Sequence, residues 1–222
     1  MNKLSVFLFV FSLLVFPART YYNTGKIIIW KLKDTGSAGN FKAVKLGNPF
    51  VKIENGDTSL YFNGINDGLI IPVIPIEGWS KFTIEVLFKP AGEGTPAPRF
   101  IHFEDTASNR GTFELRLTRN SQWYLDVFLK NGKTNKGLTL IDSTKLHTVN
   151  KWYWAALVYD GKKMYSFING QKELEGEIDF PAMKEGRISL GMRLNKVNWY
   201  KGQISEIRFH PVSLDAKALQ HH

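Results

Sequence analysis

The sequence predicts an all-β chain folded as a two-sheet antiparallel sandwich, with one short helix near the carboxy terminus. Three observations predict it. About fourteen short apolar runs, bounded by Gly, Asn, Asp and Pro, recur at roughly ten-residue spacing. One β-hairpin is written out in full: Trp152-Tyr-Trp-Ala-Ala-Leu-Val-Tyr159, the tight turn Asp160-Gly161, then Met164-Tyr-Ser-Phe-Ile-Asn169-Gly170. Helical periodicity is almost absent; only Ser213 to Leu219, with Ser213 as cap and Leu214 and Ala218 on one face, reads as helix.

The strands follow in order. Lys26 to Leu32 is the first, ended by Asp34-Thr-Gly36. Phe41 to Leu46 and Pro49 to Ile53 come next, with turns at Gly47-Asn48 and Asn55-Gly56-Asp57. Ser59 to Phe62 and Leu69 to Ile71 flank Asn63-Gly64. Phe82, Ile84, Val86 and Phe88 alternate with Thr83, Glu85, Leu87 and Lys89, the period of a strand with one buried face. After the Gly/Pro loop from Pro90 to Pro98 comes Phe100 to Phe103, then a loop from Glu104 to Gly111. Phe113, Leu115 and Leu117 alternate with Glu114, Arg116 and Thr118; in the next run Tyr124, Asp126 and Phe128 oppose Trp123. Leu138 to Ile141, the aromatic hairpin, Arg187 to Leu190 and Gln203 to Phe209 complete the set. Trp152, Trp154, Phe82, Phe88 and Trp123 are expected in the core, which alternating apolar residues fill in such sandwiches.

The chain has 222 residues, of which 43% are apolar and 14% aromatic, enough for one large core and too many for disorder. Residues 1–20 read as a secretory signal peptide: a basic start at Lys3, a largely apolar stretch from Leu4 to Phe16, then Pro17 and Ala18. Residues 21–222 are expected to form a single domain. There is no cysteine and no Asn-X-Ser/Thr acceptor, which fits a bacterial secreted, periplasmic or cell-surface protein. The net charge of +9 favours an anionic partner such as an acidic polysaccharide, and export argues against nucleic acid. No stable membrane insertion is expected once the signal is removed.

Five segments, in order, resemble the laminin G-like, or concanavalin A-like, jelly-roll family. They are Ser59-Leu-Tyr-Phe-Asn-Gly64 with Asn66-Asp67-Gly68-Leu-Ile-Ile-Pro72; Phe82-Thr-Ile-Glu-Val-Leu-Phe-Lys-Pro90; the hairpin Trp152 to Gly170; Ile188-Ser-Leu-Gly191; and Tyr200-Lys-Gly202-Gln-Ile-Ser-Glu-Ile-Arg-Phe209 with Ser213 and Leu214. The resemblance covers about residues 26 to 219. It implies a jelly roll with one concave sheet and a role in binding carbohydrate. In relatives, acidic residues at loops bind a structural calcium. Here Asn63 and Ser205 stand where Asp is frequent, which weakens such a site, and Asp34, Asp67 and Asp160 beside glycine also suit turns. No cofactor is required by the reading.

Sugar recognition asks for carboxylates and arginine toward hydroxyls and an aromatic for the C–H face of the ring. Glu114, Arg116, Tyr124 and Asp126 supply that mixture on the polar sides of two successive strands, and Glu85 occupies the polar side of its own strand. A polar loop adds Arg193, Asn195, Asn198, Trp199 and Tyr200 as a second group. The principal expectation is a non-catalytic carbohydrate-binding or adhesion domain with Glu85, His102, Glu114, Arg116, Tyr124, Asp126, Arg193 and Trp199 at its ligand site. One alternative is a polysaccharide-active enzyme on the same fold. For a hydrolase, Glu177-Ile-Asp179-Phe180 resembles half of a β-glucanase signature, but the second Glu is missing and Pro181 ends the strand. For a lyase, His102, Arg116 and Tyr124 would serve as base and carboxylate neutraliser. The other alternative is a protein-binding adhesive module. Zinc spacings, a nucleophile elbow and a phosphate loop are absent from the sequence.

Overall fold

The structure, a computed structural model, describes residues 25–222, so the signal peptide read at 1–20 lies outside the described residues. Its strands in chain order are β1 (Ile28–Lys31), β2 (Ser37–Ala38), β3 (Phe41–Lys42), β4 (Val44–Leu46), β5 (Phe50–Glu54), β6 (Asp57–Asn63), β7 (Gly68–Ile71), β8 (Phe82–Pro90) and β9 (Arg99–Asp105). There follow β10 (Arg110–Leu117), β11 (Gln122–Lys130), β12 (Gly137–Ile141), β13 (His147–Thr148), β14 (Tyr153–Tyr159), β15 (Lys163–Ile168), β16 (Gln171–Glu177), β17 (Gly186–Leu190) and β18 (Lys201–His210).

Two antiparallel sheets of eight strands face each other. The first runs β16-β15-β14-β8-β18-β6-β5, with β1 also on β18; the second runs β12-β11-β10-β9-β17-β7-β4, with β13 on β11. The expected sandwich is therefore present, with more strands than the runs suggested because several pairings involve only two or three residues. Sequence neighbours such as β14 and β15 form hairpins, whereas β8 lies between β14 and β18, so long crossovers tie the sheets together.

The period-two pattern sets the inner faces. Phe82, Ile84, Val86 and Phe88 point into the core with Phe113, Leu115 and Trp123 from the opposite sheet. Phe88 stacks on Phe100 at 4.5 Å between centroids and meets the edge of Trp123 at 5.3 Å. The hairpin turn forms as its residues require: Oδ1 of Asp160 accepts the backbone N–H groups of Lys162 and Lys163 at 2.8 and 2.7 Å, and Gly161 takes φ +97°.

Two expectations change. Trp152 and Trp154 do not point between the sheets, although Trp154 is buried. The inward residues of β14 are Tyr153, Ala155, Leu157 and Tyr159, so the tryptophans face outward. Trp154 is covered there by the Arg208 guanidinium, 5.0 Å from its ring. The carboxy-terminal helix shrinks to one 3₁₀ turn at Ala216–Ala218, without a side-chain cap. The segment is pinned at both ends instead. The N–H of Leu214 donates to Thr83 Oγ1, and the N–H of Gln220 donates to Glu85 Oε1. Between these points Leu219 packs on Ala156, Val158 and Phe167. This cover explains why all seven residues of β14 are buried.

Candidate functional site

The outer face of the second sheet carries a depression of about 220 Å³. Strands β9 to β12 form its floor through Arg99, His102, Arg110, Thr112, Glu114, Arg116, Asp126, Phe128 and Thr139, and Arg193 overhangs it. Pairing explains the grouping. In the β10–β11 ladder Glu114 is opposite Asp126, Arg116 opposite Tyr124 and Thr112 opposite Phe128. Residues 110, 112, 114 and 116 share one face of β10 because the side-chain period is two.

A β-bulge places Arg99. The β9–β10 register pairs Phe113 with Ile101 and then Glu114 with Arg99, skipping one residue. Phe100 and Ile101 are both buried in the core. Arg99 thereby returns to the outer face beside Glu114, with 2.6 Å between Nη2 and Oε2. The Nε and Nη2 groups of Arg116 donate to Asp126 Oδ2 at 2.9 and 2.7 Å. Arg116 Nη2 also lies 3.0 Å from Glu114 Oε1. Glu114 and Asp126 are 2% and 3% exposed, so these are buried carboxylates clamped by guanidiniums. Burial pushes the Glu114 carboxyl above the usual range, against the pull of Arg99 and Arg116.

His102 sits at the floor, 2% exposed. The backbone N–H of Leu194 donates to its Nδ1 at 3.0 Å, so the ring proton of the neutral imidazole is on Nε2. That Nε2 has no hydrogen-bond partner; Glu104 Oε2 is 3.9 Å away. Burial, reinforced by the charges of Arg193, Arg110, Arg99 and Arg187, lowers its pKa to about 3.

The loop after β17 delivers Arg193. Gly191 starts it at φ +79°, where a Cβ would collide with the Phe62 ring. Arg193 then closes a turn: its N–H donates to Val197 O, and its carbonyl accepts from Lys196 N–H.

Of the sequence-predicted residues, the depression gathers His102, Glu114, Arg116, Asp126 and Arg193, merging the strand face with part of the loop. Tyr124 is half-buried beside it, next to Arg116. Glu85 is on the opposite sheet, fully buried, with His210 Nε2 at 2.8 Å. Trp199 does not line the depression; its carbonyl accepts from the Thr95 hydroxyl, and Tyr200 is core. Sequence reasoning missed Arg99, Arg110, Thr112 and Thr139. Glu177 is exposed and pairs with Lys162, and Asp179 accepts from Asn131, so the glucanase-like fragment forms no acid pair.

The turn aspartates are engaged internally. Asp67 accepts backbone N–H groups of Asn48 and Asn63, and Asp34 accepts from Gly36 and the Ser37 hydroxyl. Among the described residues no group of three or more His, Asp or Glu side chains is placed to hold a metal ion. No helix among them is long and apolar enough to cross a membrane.

The chain resembles domain 4 of AbnA, an extracellular GH43 arabinanase from Geobacillus stearothermophilus solved in complex with arabinotriose. The TM-score is 0.64 at 17% identity, over 85% of this chain and 93% of that one. It also resembles the botulinum neurotoxin serotype D binding domain, with TM-score 0.60, 16% identity, 88% of this chain and 49% of that one. A structure of NanB with Optactamide matches at TM-score 0.57 and 14% identity, over 78% of this chain and 26% of that one. The chain thus spans nearly all of the arabinanase domain and about half or less of the other two. At these identities the likeness is one of fold. No curated protein sequence matches the chain. The laminin G-like model described as concanavalin A-like lectin/glucanases superfamily matches residues 62–220, and on that match the chain belongs to this superfamily.

Proposed function

We propose that the domain is an exported, non-catalytic carbohydrate-binding module that takes a polysaccharide or glycoconjugate at the depression on β9 to β12. One observation carries the reading. The depression combines clamped carboxylates with buried N–H groups that have no hydrogen-bond partner, namely Arg99 Nε and His102 Nε2. Buried polar atoms normally find partners, and sugar hydroxyls both donate and accept. The fold shared with an arabinotriose-bound domain agrees with this choice. Export rests on the basic start and apolar stretch within residues 1–20.

Two features weigh against turnover. Hydrolysis needs one carboxyl as acid and another free to act as base or nucleophile, but Glu114 and Asp126 are both held by arginines. A lyase needs a base. The free lone pair of neutral His102 is already occupied by Leu194 N–H, which leaves Tyr124 alone to fill that role.

A second reading, adhesion to protein, is favoured by the edge strand β5. There Phe50, Val51 and Ile53 are 50%, 39% and 69% exposed, and an edge strand offers unpaired backbone groups.

Native affinity electrophoresis of the mature domain, in gels containing neutral or acidic polysaccharides, decides between them. Retardation by at least one glycan is expected, reduced in Arg116→Ala and Tyr124→Ala. Free migration in every gel would overturn carbohydrate binding and leave the β5 edge as the surface to test.

A further inference from the structure

Charge at the depression is unevenly spent. Arg99 is paired with Glu114, and Arg116 with Asp126 and Glu114. No ion pair involving Arg110 or Arg193 exists among the described residues. Four arginines against two carboxylates leave a surplus of positive charge on one small surface.

Arg110 is fixed through its guanidinium and Arg193 through its backbone. Arg110 lies over the Phe128 ring, 5.6 Å from its centroid. Arg193 is carried by the turn closed on Val197 and Lys196. Both act on His102, and both contribute to keeping that imidazole uncharged. His102 adds a buried N–H donor with no partner. A nearby carboxylate, Glu104, is opposite Arg110 in the ladder and 3.9 Å from His102 Nε2, but it makes no ion pair with either guanidinium, so two cations and a neutral donor face one cavity suited to an anion.

We infer that the depression is built around an anionic substituent on a sugar, a carboxylate or a sulfate, held by the guanidiniums of Arg110 and Arg193 and received from below by the Nε2–H of His102. This rests on the carbohydrate-binding reading and names the class of sugar. The volume is below that of a drug-sized pocket, so one sugar unit enters and the rest of the glycan lies outside. Thr112 and Thr139 on the floor serve its hydroxyls. The clamped Arg99–Glu114 and Arg116–Asp126 pairs complete the floor. They contribute no net charge, so the attraction comes from Arg110 and Arg193.

The test uses matched pairs of small glycosides in titration calorimetry: methyl glucuronide against methyl glucoside, and a 6-sulfated methyl glucoside against the same neutral compound. The charged member of at least one pair should bind about tenfold more tightly or better, the scale of a charge-assisted hydrogen bond. The pair showing the gain tells carboxylate from sulfate. Arg110→Gln and Arg193→Gln should each abolish the gain without lowering the thermal midpoint. Raised sodium chloride should reduce it. In the nitrogen–proton spectrum of the histidine rings, the His102 Nε2–H signal should move on addition of the charged glycoside. Equal binding of charged and neutral members would overturn this inference while leaving carbohydrate binding intact. Free migration in every polysaccharide gel, with no binding by any glycoside, would overturn both.

Discussion

The backbone N–H of Leu194 donates to Nδ1 of His102 across 92 residues of sequence, and this one bond fixes which imidazole nitrogen faces the depression. It joins the loop that carries Arg193 to the strand that forms the floor. Donor pattern and positive charge are therefore set by the same contact.

This arrangement gives the fold a pH signature. His102 is neutral in the folded chain down to about pH 3, whereas an unfolded histidine protonates near 6.5. Between those values the unfolded state binds one more proton, so stability falls as the pH drops through that window. The slope is about 1.4 kcal/mol per pH unit from this group. Glu104, and the guanidiniums of Arg99, Arg110, Arg187 and Arg193, are the charges around it. Urea denaturation from pH 7 to pH 4 should show the decline, and His102→Gln should flatten it by that slope.

Glu85 should act as a fastener rather than a ligand group. It accepts the N–H of Gln220 and contacts His210. Glu85→Ala should cost about 1–3 kcal/mol, the penalty for leaving buried partners unsatisfied. It should also speed tryptic cleavage after Lys217, measured by mass spectrometry of the native protein. Glu85→Gln, which keeps an acceptor for Gln220, should restore much of the resistance.

The centre of the core is one aromatic group. Phe88 touches Phe100, Trp123 and Tyr153 and is fully buried. Phe88→Ala should destabilise by about 3–5 kcal/mol, through lost transfer energy and the cavity left behind. Denaturant titration would register this as a lower midpoint with an unchanged slope.

The loop aspartates should behave as turn formers. Asp67 is 2% exposed and spends its carboxylate on two backbone donors from different segments. A chelator should leave the thermal midpoint where it is. Asp67→Ala should lower stability by about 1–3 kcal/mol, by orphaning the amides of Asn48 and Asn63.

How much of this was legible follows from parity. Where alternation is unbroken, as in Phe82 to Phe88 or Phe113 to Leu117, the inner face could be read directly, and with it the outward placement of Glu114, Arg116 and Asp126. Arg110 and Thr112 have the same parity as Glu114. They were missed because β10 starts at Arg110, three residues before the apolar pattern begins. Arg99 was hidden by the bulge, since plain counting from His102 sends it inward. Glu85 was correctly assigned to the outer face of its strand. Its burial depends on a tail 135 residues away, which no local pattern records. Trp152 and Trp154 misled because aromatic size suggests core, whereas their parity is set by Tyr153 and Tyr159. Arg193 reaches the depression through a long-range loop contact, so sequence proximity grouped it with Trp199 instead.

The bulge in β9 also makes two roles of that strand separable by length. Phe100 is the surplus residue in the register between Ile101 and Arg99. Deleting it would restore a regular ladder with Arg99 still opposite Glu114, while removing the ring that stacks on Phe88. A one-residue deletion here would thus erode the interior and spare the charged face, whereas substitution of Arg99 would do the reverse.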